Sequence, residues 1–359
     1  MEQKKTLGLV MIVKNEERCL DKCLKAVRNI VDDIYITDTG STDKTLEIAK
    51  KYKAHITHFN WVNDFSAARN FSLEQSECDW NLVLDADEYL IEGRRKDLDK
   101  FLQNTESLGF IGRIDSYRES DGELSKSKTF IPRIIPKGVK YRGAIHEQVD
   151  SELPGVMVPL TFDHDGYLQE GKGERNLEIL SEQLKQNKND PYILYQISKT
   201  LWLLKKYEEA DKYFSEFYKF SKNTKANYRE VGVISYLYNL LDLKKFDDGL
   251  NLINKEKNNL KNSPDFYFAC GIFYMQMVLS DVQKYMNYFL EIEKSYLKCL
   301  EIGENKNHEG VLGCGSFKAS YNLGVFYEVT GNVAKAKEYY QLSARQGYKQ
   351  AAERLKRLN

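Results

Sequence analysis

Apolar positions fall into two regimes along the chain. Over the first half, short apolar runs alternate with stretches of helical period. Residues 7–13 form a continuous apolar run, as a strand buried on both faces requires. Residues 18–30 follow, with Leu20, Leu24 and Val27 on one helical stripe. The pattern then predicts a strand over 34–37, a helix over 42–52 capped by Ser41 or Thr42, and a strand over 54–58. A helix over 65–75 and a fourth strand over 80–84, running into Asp85, complete the series. Such alternation predicts an α/β sheet with parallel strands, whose ligands bind beyond the carboxyl ends of the strands. Between residues 108 and 162, strand-like runs at 109–114, 129–135 and 156–162 carry Gly and Pro punctuation. They predict an antiparallel or mixed extension of the same sheet.

From about Gly171 the period is helical to the end, rich in Leu, Tyr, Lys and Glu. Weak repeats appear here. Residues 191–214 contain Lys206-Tyr207-Glu208-Glu209-Ala210 and then Phe214, and residues 320–340 contain Leu323-Gly324, Tyr327, Ala336 and Tyr340. This is the small–large spacing of a tetratricopeptide helix pair. Gly271 and Tyr274 open a further candidate whose second helix is displaced by an insertion, and residues 244–253 suggest another, with Gly249 where Ala is usual. The expected organisation is a catalytic α/β domain over residues 1–168 and a helical domain over 169–359.

Composition narrows the function classes. The 359 residues are 42% hydrophobic and 30% charged, with 53 Lys+Arg balancing 53 Asp+Glu. A neutral chain gives no support for nucleic acid as a partner. Cysteines at 19, 23, 78, 270, 299 and 314 match no zinc spacing and are read as buried or free thiols in a reducing compartment. The run 7–13 is too short for a signal sequence or a membrane span, so no transmembrane segment and a cytoplasmic location are expected.

Candidate chemistry gathers at the predicted strand ends. Asp85-Ala86-Asp87 follows the fourth strand; residues two apart in a strand face one side, so the pair could offer two oxygens to one Mg²⁺ or Mn²⁺. Acidic pairs after strands are also common as caps and turns. Val13-Lys14-Asn15-Glu16 closes the first strand, Thr37-Asp38-Thr39-Gly40-Ser41-Thr42-Asp43 the second, and Asp64-Phe65-Ser66-Ala67-Ala68-Arg69-Asn70 opens the helix before the fourth. In this order the motifs resemble the family 2 glycosyltransferases of the GT-A fold, strongly to Glu88 and weakly on to about residue 165.

The resemblance implies a GT-A domain, Rossmann-like with a mixed sheet, that binds a UDP-sugar and a divalent ion. It implies that Val13, Asn15 and Glu16 line the donor site, against the alternative that residues 14–16 only cap the helix. Asp38 would accept from the nucleotide base, against the alternative of a turn-capping Asp. Arg69 would pair with the diphosphate or steady the base, against the alternative of a solvated helix arginine. Asp85 would lie near the ribose and the metal's water shell, and Asp87 would ligate the metal directly. A third metal ligand is expected late in such a domain, and His164 is the candidate, against a loop histidine bonded to Asp163 or Asp165. His55, His58 and His308 look structural or exposed. An inverting transferase also needs a base. The family places a carboxylate, usually Asp, near the segment Tyr141-Arg142-Gly143-Ala144-Ile145-His146-Glu147-Gln148; here the candidate is Glu147 with His146 as rival. The alternative is that Glu147 merely pairs with Arg142 or Arg133.

With the helical tail, the chain resembles the sublancin-type peptide S-glycosyltransferases. A peptide or protein acceptor, including a bacteriocin precursor or a flagellin, is then implied, modified at Cys or Ser/Thr. A lipid-linked or surface-polysaccharide acceptor and a non-catalytic repeat scaffold are the competing readings. A homodimer is compatible with a repeat array.

Overall fold

The apolar run Leu7–Val13 becomes β1, the central strand of the first compact unit, Met1–Lys172. The computed structural model describes residues 4–103, 106–118, 124–165, 173–224, 226, 228–304 and 309–358. Strand alternation sends Leu7, Leu9, Met11 and Val13 into one core and Val10 into a second, smaller one. The first core is covered by α1 (Leu20–Val27), whose Leu20, Cys23, Leu24 and Val27 recur at helical spacing and are all buried.

Strands β2 (Asp33–Asp38), β3 (His55–His58) and β4 (Trp80–Val83) run parallel to β1, joined through α1, α2 (Thr45–Lys51) and α3 (Phe65–Glu74). The extension is mixed: β7 (Leu124–Pro136) is antiparallel to β4 and to β6 (Leu108–Arg118), while β10 (Gly155–His164) is parallel to β6. With the edge strand β5 (Glu88–Glu92), the order is β3-β2-β1-β4-β7-β6-β10-β5. Because β1 lies between β2 and β4, the chain reverses its direction of travel there, and the carboxyl ends of these strands frame a crevice.

Three elements were not anticipated. Edge strand β5 is flanked by polar residues. The helix α4 (Arg95–Leu102) buries Leu98 and Leu102 and is pinned by the Trp80 indole N–H, which donates to the Leu102 carbonyl at 2.8 Å. The short hairpin of β8 (Lys140–Arg142) and β9 (Gln148–Asp150) stands off the main sheet. The expected cap of α2 is corrected: the helix starts at Thr45, and its first N–H is met by Asp43, while Ser41 and Thr42 bond to Asn15 instead. All six cysteines are buried and free.

The second unit, Gly173–Asn359, is helical; the expected boundary at 168/169 lies outside the described residues. After α5 (Gly173–Gln186) come α6 (Pro191–Leu203), α7 (Tyr207–Phe220), α8 (Tyr228–Asp242), α9 (Phe246–Glu256) and α10 (Pro264–Ser280). Asp190 and Ser263 cap α6 and α10 directly before a proline at the first helical position. The expected insertion is α11 (Val282–Tyr285) with one 3₁₀ turn, after which α12 (Phe289–Ile302) packs back on α10. Then follow α13 (Phe317–Val329), α14 (Val333–Arg345) and α15 (Lys349–Arg357).

Small residues sit where a partner helix sends in an aromatic ring. A methyl at Gly249 would lie 2.3 Å from the Phe273 ring, at Gly271 2.6 Å from Tyr296, and at Gly324 2.5 Å from Tyr340. Gly249 thus replaces the usual Ala because Phe273 occupies the methyl's place. Ala is the better helix former by about 1 kcal/mol, but overpacking a rigid core costs about 1–3 kcal/mol, so the clash should win. Gly249→Ala is expected to lower the melting temperature of the helical unit; a rise would show that the ring yields.

Within this unit Glu256 is 2% exposed and accepts from Arg229 at 2.8 and 3.1 Å, from the Tyr218 hydroxyl at 2.8 Å and from Asn259 at 3.1 Å. Burial alone would raise its pKa, but the bonds from Arg229, Asn259 and Tyr218 outweigh burial and hold it below the ordinary glutamate value. A depressed folded pKa gives stability that is present above the unfolded value, about 4.3, and lost as pH falls through the folded one. The urea midpoint of the helical unit should therefore decline below about pH 4, and Glu256→Gln should reduce that acid-dependent decline. An unchanged acid limb in the variant would contradict the assignment.

Candidate active site

Strand β4 stops at Val83, and the next residues form a turn. The Glu88 N–H donates to the Asp85 carbonyl at 3.1 Å, while the Asp85 N–H donates to the Glu88 carboxylate at 3.0 Å. This reciprocal closure changes the expected geometry. Asp85 and Asp87 are carried by a turn and not by a strand, so they do not present one face. Asp85 turns to two arginines; Asp87 turns to a histidine.

Arg69, on α3, donates from Nη2 to Asp85 Oδ1 at 3.0 Å, and Arg133, on β7, donates to Asp85 Oδ2 at 2.8 Å. Burial alone would raise the Asp85 pKa, but Arg133 and then Arg69 outweigh it and hold the carboxyl far below the usual range. Arg133 also donates to Glu88 at 2.7 Å, and Glu88, fully buried, faces Arg113 at 3.4 Å. Arg69 is 3% exposed, so it is not a solvated helix arginine.

Glu147 lies beside the same arginine. It accepts from Arg69 Nε at 2.8 Å and Nη2 at 2.5 Å. Its alternative partners are therefore replaced: Arg133 serves Asp85 and Glu88, and Arg142 faces Asp150 at 3.7 Å. His146, its rival, is half-buried next to it with a left-handed backbone, φ +50°.

His164 Nε2 stands 3.5 Å from Asp87 Oδ1, and its Nδ1 is 2.7 Å from Asp115 Oδ1. Burial would lower the imidazole pKa, but the bonds to Asp115 and Asp87 outweigh it and raise it to about 10. The partner at Nδ1 is thus Asp115 and not the neighbouring Asp163 or Asp165. Asp115 is missed by motif reading, yet a signal exists: Arg113 and Asp115, two apart in an apolar strand, must share a face. In the parallel register His164 lies opposite Asp115.

A ring nitrogen fixed by a carboxylate orients the other, which can ligate a cation once its own proton has left. Among the described residues no group of three or more His, Cys, Asp or Glu side chains is set to hold a metal ion. Asp87 and His164 are nevertheless a fitting pair for Mg²⁺ or Mn²⁺, ions that take few protein ligands and complete their shell with phosphate and water. Asp85, expected as a further ligand, has both oxygens engaged by arginines.

The remaining donor-site candidates line the ends of β1 and β2. Asp38 is buried and accepts from the Ser41 and Gly40 N–H groups at 3.0 and 3.2 Å, with His58 Nδ1 at 3.3 Å. The Val13 carbonyl accepts from the Thr39 N–H at 2.9 Å. Asn15, φ +57°, accepts from the Thr42 N–H at 2.8 Å, and Glu16 donates its N–H to Thr45 at 2.7 Å. These side chains lock two loops together across the mouth of the crevice. His55 and His58 are exposed; His308 lies outside the described residues.

Both units have counterparts among known proteins. Residues 9–157 match the model of glycosyl transferase family 2, and residues 191–224 and 317–345 match the tetratricopeptide repeat. The first unit therefore carries a family 2 glycosyltransferase domain and the second carries tetratricopeptide repeats. A TPR repeat-containing protein of Synechococcus elongatus is 31% identical over 52% of this chain and 50% of its own length. The SPbeta prophage-derived glycosyltransferase SunS of Bacillus subtilis is 30% identical over 59% of this chain and 53% of its own. The chain thus spans about half the length of the curated relatives it matches. A solved glucosyl-3-phosphoglycerate synthase from Mycobacterium tuberculosis shares 20% identity over 33% of this chain and 46% of its own, at a TM-score of 0.25, too slight to argue from. Among the described residues no helix is long and apolar enough to cross a membrane.

Breaking the buried ion network should be costly. Arg133→Met would leave the Glu88 carboxylate with only the Asp85 N–H and the longer Arg113 contact, and removing one partner of a buried pair costs about 3–5 kcal/mol. Urea unfolding of the first unit is expected to show a loss of that order; a loss below about 1 kcal/mol would mean the network is not effectively buried.

Proposed function

We propose that the chain is an inverting glycosyltransferase that moves a hexose from a UDP-sugar to a Cys or Ser/Thr side chain of a peptide or protein in the cytoplasm. The observation that carries this reading is the Asp87–His164 pair, backed by Asp115, in the same family 2 domain as Asp85 and Glu147 joined on one buried arginine. A divalent ion held by Asp87 and His164 would neutralise the charge of the departing diphosphate. The acceptor thiol or hydroxyl attacks the anomeric carbon from the face opposite UDP. The bond from that carbon to the diphosphate oxygen breaks with its electron pair on UDP, and the acceptor proton passes to a carboxylate oxygen of Glu147. A thiol asks least of such a base, since it ionises far more readily than a hydroxyl.

The tetratricopeptide repeats support a polypeptide acceptor, because stacked helical repeats build extended surfaces suited to peptides. Incubation with UDP-glucose or UDP-N-acetylglucosamine and Mn²⁺ should release UDP, and Asp87→Ala or chelation should slow release by about a hundredfold or more. Release that survives both would remove the metal and Asp87 from the reaction. With a small Cys-containing peptide as acceptor, intact mass should rise by one hexose. No gain, beside transfer to a lipid-linked sugar, would move the acceptor to the glycan class.

A further inference from the structure

Arg69, in the segment 64–70, is expected to pair with the donor diphosphate or steady the base, but its contacts run elsewhere. The β8–β9 hairpin has three paired positions and, among the described residues, joins no other strand. An isolated two-stranded hairpin is marginal in water and needs outside support. Its tip, residues 143–147, contains two left-handed residues, Gly143 at φ +95° and His146 at φ +50°, the second unfavourable for a residue with a side chain.

Support comes from α3. The Phe65 N–H donates to the Ala144 carbonyl at 2.8 Å. The Asn70 side chain grips Tyr141 from both directions, its Nδ2 donating to the Tyr141 carbonyl and its Oδ1 accepting from the Tyr141 N–H, each at 2.8 Å. Arg69 holds Glu147 with two nitrogens and stands 5.4 Å from the centre of the Tyr141 ring. Its Nη2 also reaches Asp85, and its Nη1 is buried without a hydrogen-bond partner among the described residues. Arg69 is 3% exposed, and its Nε and Nη2 are already engaged by Glu147 and Asp85.

We infer that Arg69 and Asn70 are positioning residues that fix the tip 143–147, and Glu147 with it, against the Asp85 end of the site. They act on acceptor activation and not on donor affinity. This rests on the transferase reading above, with Glu147 as base.

The test uses the full chain, with Asn70→Ala and Arg69→Lys as variants. Lysine keeps the charge near Asp85 but cannot grip Glu147 with two nitrogens. Hydrogen exchange of the ligand-free protein is expected to quicken about tenfold over residues 141–148, as fits the loss of one or two hydrogen bonds, while β1 and β4 stay protected. UDP affinity by calorimetry should stay within about threefold, and kcat for transfer should fall about a hundredfold from misplacement of the base. Unchanged exchange overturns the proposal, as does a loosened tip with unchanged kcat, or UDP affinity that falls in step with kcat. If the wild-type protein neither binds UDP nor turns over a UDP-sugar, the transferase reading fails and the catalytic role fails with it. The exchange measurement still tells the two failures apart, because it reads the tip without turnover.

Discussion

Arg69 and Arg133 sit almost without water in the middle of an α/β unit, and a buried guanidinium is tolerable only where carboxylates meet it with good geometry. That demand brings together residues far apart in the chain: Asp85 and Glu88 from the turn after β4, Arg133 from β7, and Glu147 from the hairpin tip. Replacing the set with apolar residues of equal volume would cost the fold little or even stabilise it. What the set supplies is placement: it ties down the turn that carries Asp87 near His164 and the tip that carries Glu147.

Much of this architecture is readable in the residue pattern, and the reasons are physical. Strands buried on both faces must be continuous apolar runs, so β1 and β4 announce themselves, and α1 does so through one clean stripe. Edge strand β5 and the small hairpin bury too little to write a pattern. The misjudged point at Asp85-Ala86-Asp87 came from extending strand alternation one turn too far, past the place where Glu88 folds back. Arg69 was recognisable as special from its motif, but its burial was not, because burial of a charge depends on partners 16 and 78 residues away. The Arg113–Asp115 spacing marks a shared strand face, but the partner that gives Asp115 its role, His164, lies 49 residues away on β10.

The helical unit follows a simpler logic. Each glycine facing an aromatic ring is one half of a packing pair, so Gly249 with Phe273 and Gly271 with Tyr296 are small–large exchanges written across two helices. This is why the repeats are detectable despite little sequence likeness between them. The insertion between α10 and α12 lengthens the connection without removing the pair it separates.

The arginine network divides the acidic cluster: Arg69 engages Asp85 and Glu147, which leaves Asp87 and His164 for the proposed ion. An anomalous-difference map from crystals soaked with UDP and Mn²⁺ tests it most directly. One metal peak is expected at ligating distance from both Asp87 and His164, with the Asp85–Arg133 and Glu147–Arg69 pairs intact. A peak on Asp85 with the arginines displaced, or UDP bound with no metal between Asp87 and His164, would contradict it.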